Sequence, residues 1–429
     1  MMNLISYVLL LCSLQFVQSF IALSPSKTAV QSLESVVQQK RLSSALKSQP
    51  KDSTSTAKPR ESWSCTIDIQ QKDKIKDYLL KKLANGQHYE KDGMKYSLNS
   101  PREWMESIEA ETGEGGAYTV LRADVQNQNN QKTRIYNQDF HLERLERSYR
   151  KLLVSQHIQD DLNDDHIQTA IQDSKNMIQA LMQKAVEDLK FEHSHGVGHV
   201  IVLMITILWS KDEGNAIKVQ SHAFSTNTPS LPHEYNPKPI TAFIAIPGND
   251  EEVLPSRHDN YPEAKLSSWC RVRRPLELKF KTENIGEVLL TRIDSSGDVE
   301  LLEGLTSNLF VVYKDGSIRT CSTLDALDGC ARNFVISAAK EIGLKISHEP
   351  ITINDAKNGL WGEVFVTSAI RLVIPVGSIM IPVYDDDGNI SMENLWMEEP
   401  LETLDWKSSG RRWQTIYYRI KNQINMQIK

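Results

Sequence analysis

Apolar residues along this 429-residue chain recur with two periods, and the switch between them marks its organisation. In the first half, Leu142, Leu145, Tyr149 and Leu152/Leu153 follow at steps of three to four, which predicts a helix over His141–Leu153 with one buried stripe. Asp139 is its expected N-cap, and Arg144 and Arg147 fall off the stripe or at its edge. A second long helix is expected from Ile167 to Leu189, and Ile75–Leu83 also has helical spacing. Ala117–Val125 and Ile240–Ile246 read as strands. Gly198–Trp209, rich in Ile, Val and Leu, is too short to cross a bilayer as a helix and reads as a buried strand.

From Gly286 the pattern turns to short strands and turns. Glu287–Ile293, Asn308–Tyr313 and Ser317–Thr320 are strands, the last two joined at Asp315-Gly316, a hairpin dipeptide. Gly329 precedes a helix, Ala331–Ile342, that Gly343 closes. Glu363–Thr367 is a further strand, Ile374-Pro375-Val376 follows, and a closing helix starts near Trp406. Strands with interspersed helices in two blocks predict two α/β or α+β domains. The bounds drawn are 61–247, a polar, proline-bearing connection at 248–264, and 265–429.

Composition narrows the function. The chain is 40% hydrophobic and 24% charged, ordinary for a globular enzyme. A net charge of -6 leaves no basic face for nucleic acid, although small anions need only one arginine or a helix N-terminus. The five cysteines show no CxxC pair and no zinc spacing, so no disulfide framework is indicated and a reducing interior is expected. Residues 1–60 read as a presequence. Leu4–Val17 has the length of a signal h-region, although its n-region lacks Lys and Arg, and Val17-Gln18-Ser19 offers a cleavage site before Phe20. From Ile21 to Arg60 the chain is basic and Ser-rich, with Glu34 and Asp52 its only acids, as in a transit peptide. The combination resembles the two-part presequence of algae with secondary plastids. A plastid address is expected, with plain secretion as the alternative and no membrane anchor in the mature form.

The chemistry concentrates at Glu303-Gly304-Leu305-Thr306-Ser307-Asn308. Alone, this is a polar turn capping a strand. Followed by Asp315-Gly316, Gly329-Cys330-Ala331-Arg332, Val366-Thr367-Ser368 and Ile374-Pro375-Val376, it resembles the class IV aminotransferases in order and spacing. That family includes branched-chain and D-amino-acid aminotransferases and aminodeoxychorismate lyases. The resemblance implies a two-domain α/β (α+β) fold with pyridoxal 5'-phosphate in the cleft between domains, in a homodimer. It also implies residue roles. Arg144, in His141-Leu142-Glu143-Arg144-Leu145, would bind the cofactor phosphate, for which a permanently charged planar donor fork is suited; its plain alternative is a solvated helix face. Tyr118, in the strand after Gly115-Gly116, would lie beside the cofactor, or be an ordinary half-buried tyrosine.

Lys265, in Ala264-Lys265-Leu266-Ser267-Ser268-Trp269, stands at the family's interval before Glu303 and would carry the cofactor through its amine. Lys279 and Lys281 are rivals in a charged stretch and read better as solvated strand or loop lysines. Glu303 would pair with the pyridine nitrogen, and Thr306 and Ser307 would anchor the ring's surroundings. Cys330 and Ala331 would offer helix N-terminal amides to the phosphate. Ala331 and Ala369 stand where the family often has hydroxyl residues, so two side-chain donors are lost. The expected reaction moves an amino group between an amino acid, of branched-chain or D type, and a 2-oxo acid. A carbon–carbon lyase is the alternative, and a cofactor-binding relative without turnover a third reading.

Overall fold

The alternation of the sequence becomes strand pairing in two separate sheets. The computed structural model describes residues 62–68, 81–83, 88–91, 94–97, 116–126, 132–155, 164–188, 199–210, 216–226, 237–246, 262–282, 284–384, 390–397, 416 and 419–424. All lie in the unit Pro59–Lys429. The expected presequence, the start of the closing helix near Trp406 and most of the 248–264 connection lie outside the described residues.

The first sheet is built from β1 (Ser62–Asp68), β2 (Lys81–Leu83), β5 (Ala117–Gln126), β6 (Lys132–Ile135), β7 (His199–Ser210) and β8 (Ala216–Thr226), in the order β2-β1-β8-β7-β5-β6. A separate hairpin joins β3 (His88–Lys91) to β4 (Met94–Ser97). Two helices, α1 (Gln138–Ser155) and α2 (Asp164–Asp188), cover one face. Because side chains alternate along a strand, Leu121, Ala123 and Val125 of β5 pack with Leu145 and Tyr149 of α1. Tyr118 and Val120 face the other way, into a cluster with Cys270 and Ile370 from later in the chain. That second face is where the cavity lies.

The second sheet contains β9 (Ile240–Ile244), β10 (Ile285–Ile293), β11 (Val299–Gly304), β12 (Asn308–Tyr313), β13 (Ile318–Arg319), β14 (Ile346–Ser347), β15 (Ile351–Thr352), β16 (Trp361–Ser368), β17 (Leu372–Tyr384) and β18 (Ile390–Met397). Its order is β14-β13-β12-β16-β17-β9-β10-β11-β15, with β18 on β17. A bridge between Glu303 of β11 and Asn308 of β12 closes six of these strands into a ring. Helices α3 (Ser268–Phe280), α4 (Cys330–Glu341) and α5 (Ile353–Lys357) are interspersed. Phe310 and Val312 pack with Val335 and Ala339 of α4 and with Ile416, Ile420 and Ile424 near the C-terminus. Leu309 and Val311 face a different core with Leu289 and Val366.

Several expectations change. The Ile75–Leu83 helix falls mostly outside the described residues, and its last three residues form a strand. Asp139 sits inside the first turn of α1 rather than capping it. Strand β9, placed ahead of the connection at 248–264, already pairs with β10 and β17 of the second sheet, so the chain changes sheets before Ile240. Pairing choice is a tertiary outcome that local polarity does not report. Lys279 lies in the last turn of α3, exposed, not in a strand or loop.

Candidate active site

Residues 264–267 return to the first sheet and are clamped there. Ala117 bridges Leu266, Tyr118 N donates to the Lys265 carbonyl at 2.9 Å, and Ser267 N donates to Gly116 O at 2.8 Å. Gly116 N donates to Ser267 Oγ at 2.7 Å, and Lys265 N donates to Ser148 Oγ of α1 at 3.0 Å. The Lys265 backbone is therefore held by a strand and a helix at once. Its Nζ lies 4.7 Å from the centre of the Tyr118 ring, over the ring face.

Arg144 is buried, against the reading of its helix position as a stripe edge or solvated face. Its Nη1 donates to the Asp328 carbonyl at 2.9 Å and its Nη2 to Thr119 Oγ1 at 3.1 Å. Its Nε is buried with no hydrogen-bond partner. Burial pushes the guanidinium down to about 10. Burial and the nearby charges of Arg144 and Lys265 hold His141 well below the usual imidazole range, so its ring is neutral beside Arg144. Arg147, one turn on, is exposed and pairs with Asp328.

Glu303 is the penultimate residue of β11, and the turn that follows the strand is Leu305–Ser307. Its carboxylate is buried and Oε2 accepts from Leu327 N at 3.2 Å and Asn308 Nδ2 at 3.4 Å. Asn308 Nδ2 also donates to the Leu327 carbonyl at 2.8 Å. The segment Leu327–Gly329 thus carries partners of both Glu303 and Arg144, and α4 starts straight after it. No side chain caps α4 at Gly329, so its first amides are available to an anion. A Cβ at Gly329 would run into Asn308 Oδ1, so any other residue there would force Asn308 to shift. Burial pushes the Cys330 thiol up to about 11 and keeps it neutral.

Thr306 and Ser307 are committed in a way the sequence did not disclose. Their hydroxyls donate to Glu287 Oε2 at 2.7 and 2.8 Å, and Glu287 is fully buried in β10. A cavity of about 390 Å³ brings together Tyr118, Arg144, Lys265, Glu303, Thr306, Ser307, Cys330, Ala331 and Ala369. Arg273, Glu277, Asn308, Thr367 and Arg371 also line it, and none of these five was singled out for a role from sequence. The motif signal could have raised Asn308 and Thr367, which stand within the quoted segments. Thr367 Oγ1 is buried in the wall with no hydrogen-bond partner. It supplies a hydroxyl two residues before Ala369.

A family model described as amino-transferase class IV matches residues 116–379. The chain belongs to the class IV aminotransferase family. Pyridoxal phosphate is the expected cofactor of this pyridoxal-dependent enzyme family. A protein from Methanocaldococcus jannaschii, provisionally assigned as a branched-chain-amino-acid aminotransferase, is 34% identical over 88 residues, 20% of this chain and 29% of that protein. The matched stretch therefore spans under a third of that relative. An aminodeoxychorismate lyase from Bacillus subtilis is 21% identical over 248 residues, 54% of this chain and 83% of the lyase. A solved fold IV transaminase from Curtobacterium pusillum aligns with a TM-score of 0.47 at 17% identity, covering 74% of this chain and 92% of that one.

The cavity's donor set fits the cofactor. Arg144 Nε and Thr367 Oγ1 are buried donors with no hydrogen-bond partner in its wall, α4 adds an uncapped N-terminus, and an amine and a carboxylate complete the lining.

Proposed function

We propose that this chain is a pyridoxal-phosphate-dependent aminotransferase that moves an amino group between an amino acid and a 2-oxo acid. The observation that carries the reading is that Lys265 is the one amine lining the cavity among the described residues, in a wall that also holds the cation Arg144 and the carboxylate Glu303. Arg144 and the first amides of α4 would hold the phosphate, and Glu303 would hold a proton on the ring nitrogen. When bound, the cofactor supplies an aldehyde for amines and a ring that takes up electrons from the substrate α-carbon. Lys265 Nζ would bind the cofactor at its aldehyde carbon and would serve as the base that moves the proton at the substrate α-carbon, with Tyr118 beneath it to fix its approach. Glu287 keeps Thr306 and Ser307 in place beside the ring site. Branched-chain or D-amino acids are the proposed donors.

The test is a panel of amino donors offered with 2-oxoglutarate, with pyruvate release scored in parallel. Glutamate formation that requires the acceptor supports the aminotransferase. Pyruvate released from aminodeoxychorismate without any acceptor overturns it in favour of a lyase, and the lyase relative's longer aligned span makes that arm necessary. Cofactor retained with neither product would leave a binding protein without turnover. The acid-poor stretch Ile21–Arg60 supports a plastid destination, to be checked by imaging a fluorescent fusion of residues 1–60.

A further inference from the structure

The proposed substrates carry a carboxylate, and three arginines line the cavity. Two are already engaged. Arg144 is spread over the Asp328 carbonyl and the Thr119 hydroxyl. Arg273 pairs with Glu277, Nε to Oε1 at 3.1 Å, both buried, and its Nη1 donates to Leu305 O at 3.4 Å. Arg371 differs. Its guanidinium lies 4.0 Å from Glu287 Oε2, an oxygen that already accepts from Thr306 and Ser307. Its side chain is 35% exposed against 10% for Arg273, and its ion pair is longer, 4.0 Å against 3.1 Å, so it can turn to a ligand at the cavity wall at less cost than Arg273.

The backbone behind Arg371 is fixed at several points. Arg371 N donates to Ser368 Oγ at 3.2 Å. The preceding carbonyl, Ile370 O, accepts from Arg122 Nη1 at 2.7 Å. Arg122 is buried and bound to Asp124 at 3.0 Å, and Asp124 also accepts from Tyr136 OH at 2.6 Å. The following residue, Leu372, has φ 57, in the left-handed region that a bulky side chain rarely occupies. Such a conformation persists where the surroundings over-determine it, and it clusters where geometry serves a ligand. A buried ion pair reaching across from the first sheet and a strained leucine together hold one short turn, and that turn points Arg371 into the cavity wall.

We propose that Arg371, presented by the turn Ser368–Leu372, binds the substrate carboxylate and makes the site selective for carboxylate-bearing amines. The choice of substrate rests on the aminotransferase reading; anion recognition by Arg371 does not, so the test has an arm without turnover. Calorimetry of the holoenzyme compares 4-methylpentanoate with its neutral amide. The wild type prefers the acid by at least about tenfold, as charge-assisted hydrogen bonds to a guanidinium allow. Arg371→Gln abolishes the preference and Arg371→Lys retains part of it. If the Gln variant does not fold, Arg371→Met is read by the same titration. A preference that survives loss of the charge overturns the proposal.

In the kinetic arm, Arg371→Gln raises KM for amino and oxo acids at least about tenfold while kcat stays within about threefold. KM for 1-phenylethylamine, which has no carboxylate, is unchanged. An equal change for both substrate kinds would mark Arg371 as structural and also overturn the assignment. A wild type that binds the cofactor but transfers no amino group sinks the aminotransferase reading alone, and the calorimetric arm still decides Arg371.

Discussion

Replacing Arg144 with methionine separates a cofactor anchor from a structural cation, because the two roles predict opposite balances between apo stability and cofactor affinity. In the apo protein the guanidinium is buried, and its two shortest hydrogen bonds go to a carbonyl at 2.9 Å and a hydroxyl at 3.1 Å, both neutral acceptors. Hydrogen bonds from a charged donor contribute about 1.5–3 kcal/mol each, so two give roughly 3–6 kcal/mol. Burying the charge costs several kcal/mol in the other direction. The terms offset, leaving the penalty for an abandoned Asp328 carbonyl, about 1–3 kcal/mol. Methionine fills the space with an unbranched, adaptable chain. The apo variant should therefore lose no more than about 3 kcal/mol in urea denaturation. If Arg144 holds the cofactor phosphate, the holoenzyme loses that contact as well, and a deficit of about 2 kcal/mol or more raises the cofactor Kd by roughly thirtyfold. Spectroscopic titration with pyridoxal phosphate reads that shift. An apo variant destabilised by much more than about 4 kcal/mol, with cofactor affinity unchanged, would refute the assignment.

Lys265→Ala should lower turnover at least about a hundredfold, the span of a lost proton-transfer group, and leave nothing that borohydride fixes to the chain. Retained fixation would move the attachment to another lysine. His141, neutral and held below the usual range by burial first and by Arg144 and Lys265 next, makes stability depend on pH. The unfolded chain takes up its proton near about 6.5 and the folded one only well below, so the unfolded state binds more protons in between. Stability is full above that pH and falls as pH drops towards the folded value. Urea titrations should show a shallower fall for His141→Asn than for wild type, and parallel curves would refute it. Gly329→Ala pushes a methyl into Asn308 Oδ1, and forcing the shift should cost about 1–3 kcal/mol in stability together with weaker cofactor binding. An unchanged melting temperature would show that the turn can yield.

What the sequence made legible was what local pattern encodes. Six apolar-rich residues after a polar turn define Asn308–Tyr313, and the strand has those ends. Gly343 closes the α4 region with φ 72, a conformation that suits a glycine just past a helix. The chain order of motif segments was enough to name nine residues that one cavity brings together. Buried charge was not legible in this way. Sorting α1 by apolarity placed Arg144 at an edge, because periodicity treats every cation as solvent-facing, whereas His141, Arg144 and Ser148 are all buried. Strand β8 mixes Gln220, Ser221 and His222 with its apolar residues, yet all three are buried, so its polarity hid a central strand. Partners in strand pairing were equally hidden, as β9 shows by lying between β10 and β17.

Of the two buried carboxylates Glu287 and Glu303, the motif named only Glu303. Glu287 and Glu303 lie on adjacent antiparallel strands, β10 and β11. Glu287 does not line the cavity and spends one oxygen on two hydroxyls and the neighbourhood of Arg371. Glu303 lines the cavity and takes its hydrogen bonds from an amide and the Asn308 side chain on the Leu327–Gly329 side. A Cβ at Gly304 would press on Glu287 Cγ at 2.8 Å and on Ser307 Oγ, so the glycine between acid and hydroxyls is what lets the two carboxylates coexist at this spacing. Glu287 therefore fixes the turn that follows Glu303, and Glu303 lines the cavity. An Asp at either position would withdraw the carboxylate by one methylene and break one half of that division without supplying the other.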